Sequence, residues 1–371
     1  MSNLLTTPFG TDALDLRRYP VRPDELLQAW DAADELVLEH VAALAPVGKK
    51  ILIVGDTFGA LSVALAHFGV TTYTDSFVGA AGIRANTTAN ARPSARLIDR
   101  LSELEGAYDL VLVRVPKNLS FFEDILAELS SHLAPGAKIV AGVMVKHQSA
   151  GAFDLTAKYF GETSTSLAKK KARLIFATFS KSAVATPYPL HVPMDGFKTP
   201  FVNHSNVFSR EKLDIGTRFF LENLPQGPFR TVLDLGCGNG IVGIKAKQLH
   251  PEAKVIFTDD SRMAILSAEA NFRANFPAET AEFHWTDGFA EAAAESVDLV
   301  LCNPPFHEGN TVGDSIALRM FADAHHALRP DGILRVIGNT HLQYGMVLQR
   351  GFGNARKVAS NGKFTVLESI R

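Results

Sequence analysis

The chain reads twice. Placing Asp109 on Asp298 lays YDLVLVRVPK (108–117) over VDLVLCNPPF (297–306) without a gap. Placing Gly55 on Gly236 lays ILIVGDTFGALSVALA (51–66) over VLDLGCGNGIVGIKAK (232–247). Three further pairs keep the same order: YTDSFVGAAGIRANTTAN with FTDDSRMAILSAEANFRAN, SHLAPGAKIVAG with HALRPDGILRVIG, and ARLIFATFSK with GKFTVLESIR. Solenoid and propeller repeats run to about 20–50 residues, whereas this one takes up about half of the 371-residue chain. It implies two copies of one domain, each long enough to bury its own core. The join falls in SAVATPYPLHVPMDGFK (182–198), rich in proline and turn residues, and divides the chain into residues 1–190 and 191–371.

Within each copy short β-branched runs alternate with helical stretches. ILIVG (51–55), YDLVLVRV (108–115) and AKIVAGVMV (137–145) are the strand-like runs of the first. TVLDLG (231–236), AKVIFTD (253–259), VDLVLCN (297–303) and GILRVIGNT (332–340) are those of the second. Such alternation predicts an α/β fold with a parallel sheet built from βαβ units. Basic and acidic residues balance at 37 and 39, a formal net charge of −2, so any contact with nucleic acid must come from a local patch. The densest such run is Lys169–Arg173. Two cysteines, Cys237 and Cys302, make neither a disulfide framework nor a zinc site, and no other cluster has ligand spacing, so no metal is expected. The N-terminus lacks a basic stretch followed by an apolar one, and no apolar run approaches the roughly 20 residues that span a bilayer. The expectation is a cytoplasmic protein with no membrane segment.

The second copy carries the chemistry. In VLDLGCGNG (232–240) an apolar strand runs into a glycine-rich turn and then a helix; Gly236, Gly238 and Gly240 allow sharp turning and close approach of a ligand. A glycine loop alone is weak evidence, since nicotinamide-binding folds use a similar one. Here the spacing is G-x-G-x-G, with Asp234 inside the preceding strand. Asp259, followed by Asp260, ends the next strand, where a carboxylate meets ribose hydroxyls. Asp287 lies in HWTDG after a further strand. Asn303-Pro304-Pro305-Phe306 directly follows VDLVLC. Two prolines at the carboxyl end of a parallel strand stop the hydrogen-bond ladder and hold a rigid turn where open α/β sheets bind ligands. The first copy has lost these groups: Ile53 stands for Asp234, Thr57 for Gly238, Phe58 for Asn239, Arg114 for Asn303, Val115 for Pro304 and Lys117 for Phe306. It should neither bind the ligand nor catalyse, and Arg114 and Lys117 bring positive charge to the old mouth of the site; the expectation is a domain kept for packing or for holding RNA.

The G-x-G-x-G variant resembles the first motif of class I S-adenosylmethionine-dependent methyltransferases. NPPF resembles the motif of those that modify an amino group conjugated to a ring or carbonyl. FSREKLDIGTRFF (208–220), NPPFHEG (303–309) and the closing GNTHLQY…GKFTVLES extend the resemblance to the ribosomal RNA guanine-N2 methyltransferases, which carry a degenerate N-terminal copy. The segment LLQAWDAADELVLEHV (26–41) and the length of the first half look most like the branch acting on 23S rRNA; the branch acting on 16S rRNA is the nearest alternative. The resemblance implies two tandem Rossmann-like, seven-stranded methyltransferase folds, the first vestigial. It implies S-adenosylmethionine held by Asp234, Gly236, Cys237, Gly238, Asn239, Gly240, Asp259, Asp260, Asp287 and Asn303. Asn303 and the Pro304 carbonyl would accept the two N–H groups of the target amine, and Phe306 would stack on the base. His307 is adjacent. Phe208 and Thr217 belong to a segment that would cover the cofactor, although Ser209 and Asp214 read equally well as helix caps.

Other readings stay open on these residues: an N6-adenine or glutamine methyltransferase, a nicotinamide oxidoreductase using the glycine loop, or an RNA-binding assembly factor with a relic pocket. The G-x-G-x-G spacing and NPPF speak against the oxidoreductase, and the intact second copy against the relic. No protein partner is legible.

Overall fold

The computed structural model describes residues 3–10, 13–22, 25–147, 150–289, 294–305 and 311–371, without the side chains of 311–315. Phe306 and His307 lie outside them. The chain divides into two compact units, Met1–Pro187 and Tyr188–Arg371.

In the first unit the strands are β1 (Ile51–Val54), β2 (Thr71–Tyr73), β3 (Arg96–Ile98), β4 (Tyr108–Arg114), β5 (Leu133–Met144), β6 (Thr163–Thr165) and β7 (Ala172–Thr178). In the second they are β8 (Thr231–Leu235), β9 (Lys254–Asp259), β10 (Glu282–Trp285), β11 (Val297–Cys302), β12 (Leu328–Asn339), β13 (Arg356–Ser360) and β14 (Phe364–Ile370). The sheets run β3-β2-β1-β4-β5-β7-β6 and β10-β9-β8-β11-β12-β14-β13. In the second, β14 pairs antiparallel with both β12 and β13 while the other pairs are parallel; the first repeats this arrangement. These are two seven-stranded Rossmann-like sheets of the same topology. Helices flank strands buried on both faces, which is why Ile51–Val54 and Val232–Leu235 are continuous apolar runs broken only by Asp234.

The duplication extends to the polar joints. Asp298 accepts from the N–H groups of Arg230 and Thr231, both at 2.8 Å, and Asp109 accepts from that of Lys50 at 2.9 Å. Each carboxylate ties the start of a central strand to its neighbour. Asn271 is fully buried and donates to the carbonyls of Val202 and Asn239 while accepting from the N–H of Val202. Asn86 does the same with the carbonyls of Arg17 and Phe58 and the N–H of Arg17. Both latches fasten the glycine loop and the segment preceding the sheet to one helix. The sequence foresaw neither of the short hairpins that precede the sheets, Leu4–Leu5 with Leu14–Asp15 and Leu190–Val192 with Phe201–Asn203. Among the described residues no helix is long and apolar enough to cross a membrane.

Candidate active site

The strand order of the second unit reverses between β8 and β11, and ligands of open α/β sheets bind outside the carboxyl ends at such a point. Leu235 pairs with Cys302 and with Thr258, so the residues that leave the sheet there emerge side by side: Gly236 after β8, Asn303 after β11, and Asp259 at the end of β9. The N–H groups of Gly236 and Cys237 both donate to the carbonyl of Thr258 at 2.9 Å, which folds the loop over β9. Gly236, Gly238 and Gly240 all have φ in the left-handed region, at +75°, +55° and +81°. Two of them are also packed. A Cβ at Gly240 would stand 2.9 Å from that of Ala268, and one at Gly236 would stand 3.0 Å from the Met320 methyl. At Gly238 a Cβ would meet nothing within 4 Å, so the loop is open to a ligand there.

The acids divide their work. Asp259 accepts from the N–H of Gly238 on one oxygen and from that of Ser261 on the other, both at 2.9 Å, and so fixes the loop crest to the end of β9. Asp260 offers its carbonyl to the indole N–H of Trp285 at 2.7 Å, and the Arg262 guanidinium lies over that ring. Asp234 is buried and accepts from the N–H of Gly243 at 2.7 Å, inside the first turn of the following helix. Burial pushes its carboxyl up to about 8; the Gly243 N–H opposes the shift and the Asp259 charge adds to it. Asn239 turns inward, donating to Asn203 at 3.0 Å and accepting from the N–H of Ile241. Asp287 is ion-paired with Arg319 through one oxygen. Burial pushes both the Cys237 and Cys302 thiols up, which leaves two small packing groups rather than nucleophiles.

Pro304 is buried and Pro305 exposed, so the rigid turn after β11 keeps one ring in the core. The Asn303 amide nitrogen donates to the Thr217 hydroxyl at 3.3 Å. Its carbonyl oxygen is buried and has no hydrogen-bond partner among the described residues. A buried acceptor without a donor costs about 1–3 kcal/mol, and such a group at the mouth of a site is set to receive one. Thr217 comes from the helix Ile215–Leu221, whose cap is Asp214. Ser209, the other candidate cap, has φ of +53° and gives its hydroxyl to the Lys212 carbonyl instead. Phe208 is exposed.

Comparison with known proteins identifies the family. The RLMG N-terminal domain family matches residues 4–181, and the methyltransferase small domain family matches residues 198–368. The chain is 45% identical over 376 residues to the ribosomal RNA large subunit methyltransferase G of Stutzerimonas stutzeri, covering 99% of each. To the protein of the same name from a Shewanella species it is 42% identical, covering 99% of this chain and all of that one. The chain belongs to the ribosomal RNA large subunit methyltransferase G family. Its fold is shared with a solved T. thermophilus 16S rRNA N2 G1207 methyltransferase, RsmC, in complex with AdoMet and guanosine: TM-score 0.78, 22% identity, 99% of this chain and 97% of that one.

The first unit of this methyltransferase corrects one expectation. Arg114, at the place of Asn303, does not charge the mouth of the old site. Its guanidinium is ion-paired with Asp31 at 2.9 Å and Asp34 at 3.2 Å, and its side chain is only 15% exposed. The loop acid Asp56 is buried beside it and accepts from the N–H groups of Gly59, Leu61 and Ser62. The helix N-terminus that a ligand could have faced is thus filled by the loop's own carboxylate. In the Lys169–Arg173 run, Lys169 is paired with Glu39 and Lys170 with Glu35. Lys117 is exposed.

Proposed function

We propose that the second unit transfers a methyl group from S-adenosylmethionine to the exocyclic N2 amine of a guanine in 23S ribosomal RNA, in the cytoplasm, and that the first unit is its non-catalytic copy. The single observation that carries this reading is the buried Asn303 carbonyl oxygen, without a hydrogen-bond partner among the described residues, at the carboxyl end of β11 beside the glycine loop. The names of the relatives support the large-subunit RNA, and the guanosine-bound neighbour of the same fold supports the base.

The residues present fit the cofactor. The open space over Gly238, the carboxylate of Asp259 at the strand end and the second oxygen of Asp287 would hold it, with Asp234, Asn239 and Gly240 shaping the loop from beneath. When bound, S-adenosylmethionine supplies an electrophilic methyl on a sulfonium. The amine of guanine is a poor nucleophile because its lone pair is delocalised into the ring. Asn303 and the Pro304 carbonyl answer that by accepting its two N–H groups, which favours a pyramidal nitrogen and aims the lone pair. Positioning of this kind supplies up to roughly 7–11 kcal/mol of a barrier. No strong base is needed, since the methylated nitrogen is acidic and releases its proton to water. The base must leave its stack to reach the site.

The test is transfer of labelled methyl to unmodified 23S and 16S rRNA in separate reactions, with nucleoside analysis and Asn303→Ala as control. N2-methylguanosine in 23S rRNA, reduced about 10²–10³-fold by the substitution as for loss of one transition-state hydrogen bond, is the expected result. Product in 16S rRNA alone moves the enzyme to the other subunit, and full activity of Asn303→Ala removes the proposed role of that residue.

A further inference from the structure

We infer that Asp214 and Thr217 decide which end of the Asn303 amide faces the target amine, a role that rests on the function proposed above. An asparagine side chain is nearly symmetric in shape but opposite in chemistry at its two ends, one a double donor and the other an acceptor. Only the acceptor end serves an amino group. Turned over, the amide would present N–H groups to N–H groups.

Nothing in Asn303 itself forbids the turn. The selection comes from Thr217. A hydroxyl both donates and accepts, so on its own it would receive either end of the amide. Here its proton is directed elsewhere: the Thr217 hydroxyl donates to the Asp214 carboxylate at 3.5 Å, and the same oxygen accepts from the Thr217 N–H at 2.9 Å. A carboxylate only accepts, which leaves the hydroxyl with lone pairs toward Asn303. The amide must then present its NH2, as it does at 3.3 Å, and its carbonyl oxygen is turned to the opposite side. Thr217 is only 6% exposed, so water does not compete for its hydroxyl. The start of the helix is seated firmly: at Gly216 a Cβ would stand 2.8 Å from the Phe364 ring.

The duplication gives an independent reason to treat the three positions as one device. In the first unit Asp31 caps the helix Ala32–Ala43, with Asp34 three residues on, as Asp214 caps its helix with Thr217 three residues on. There the residue after the central strand pairing is Arg114, and it contacts Asp31 and Asp34. Where Asn is replaced by Arg, Thr is replaced by Asp. The partner has changed with the group it orients, and the cap has stayed.

The experiment compares Thr217→Val, Thr217→Ser and Asn303→Ala, each alone, and Thr217→Val with Asn303→Ala, by steady-state methyl transfer to 23S rRNA and by S-adenosylmethionine binding. Thr217→Val is expected to lower kcat about 10- to 100-fold, the scale of a misplaced reacting group. The KM for RNA and the cofactor affinity should stay within about twofold of the parent. Thr217→Ser should recover most of the rate, and Thr217→Val should add nothing to Asn303→Ala. Thr217→Ala removes the same acceptor without a branched side chain and replaces Thr217→Val if that variant fails to fold. Full activity of Thr217→Val beside a dead Asn303→Ala would overturn the inference and leave the proposed function standing. So would a rate loss matched by lost cofactor affinity, which makes Thr217 a cofactor ligand. Full activity of Asn303→Ala would remove the reading of the site, and the inference with it.

Discussion

The two units have the same sheet, the same strand order, the same asparagine latch and the same carboxylate at the start of the central strand, yet they use the carboxyl edge of the sheet in opposite ways. In the second unit the edge is left open: space over Gly238 and a buried acceptor on Asn303 with no donor among the described residues. In the first it is finished internally, with Arg114 against two acids and Asp56 on the N–H groups of its own helix. A fold does not dictate a function, and here one chain holds both outcomes. An unsatisfied acceptor is a cost to stability and a resource for binding; in its place the first unit has an ion-paired cation.

That contrast is broken most directly at the paired positions 114 and 303. Asn303→Ala should cost activity and little stability. Arg114→Ala should do the reverse, since it leaves Asp31 and Asp34 facing each other without a cation. Removing one partner of a buried ion pair costs about 3–5 kcal/mol. Hydrogen exchange followed by mass spectrometry should show lost protection in the peptides around β1 and β4, with S-adenosylmethionine binding unchanged. Unaltered exchange there would mean that the ion pairs do not hold the closed edge.

A second contrast lies at the β12–β14 pairing. Arg335 opposes Glu368 there, both side chains 5% exposed, and the first sheet has Val140 opposite Phe176 at the corresponding register. Burial alone would raise the Glu368 carboxyl; Arg356 and Arg335 hold it below the usual range. Glu368→Ala should therefore destabilise the second unit by about 2–4 kcal/mol, somewhat less than the Arg114 change because Arg356 is exposed and returns to water. Adding Arg335→Val, which copies Val140 of the first sheet, should recover most of that. A double variant as unstable as the single one in denaturant melts would show that the two sheets are not interchangeable here.

How much of this was legible in the residues follows from the same contrast. The sheets were, because apolar runs such as ILIV and VDLVLC and the turns after them state strand, direction and edge locally. The glycine loop, Asp259 and Asn303 were, because backbone freedom and strand ends fix their place. The short hairpins were not: Leu4–Leu5 and Leu14–Asp15 acquire strand geometry only by pairing across the chain. Nor was the fate of Arg114. Its substitution for Asn303 reads as a gain of positive charge, and only the approach of Asp31 and Asp34 from a segment far away in sequence cancels it. Thr217 reads in LDIGTRFF as part of a segment near the cofactor, but its hydrogen bond to Asn303 spans 86 residues and has no local signal.

The smallest predicted effect concerns Asp234, which stands in β8 where the first unit has Ile53. A buried carboxyl raised from 3.8 to about 8 keeps its proton in the folded protein over a range in which the unfolded chain releases it. Its contribution to stability is therefore complete below about pH 4 and is lost as the pH rises through about 8. Asparagine has the same shape, keeps an acceptor for the Gly243 N–H and never ionises. Asp234→Asn should match the parent to within about 1 kcal/mol near pH 4, where both residues are neutral in the folded protein and keep their hydrogen bond. It should become progressively the more stable of the two as the pH rises from about 4 to about 8, with the divergence confined to peptides of the second unit in exchange experiments across pH. Parallel profiles for the two proteins would mean that Asp234 is already ionised in the fold, held by something other than the single N–H that reaches it. In that case the step from Asp to Ile in the first unit removed a charge rather than a proton, and the loss of its ligand site began inside the strand rather than at the edge.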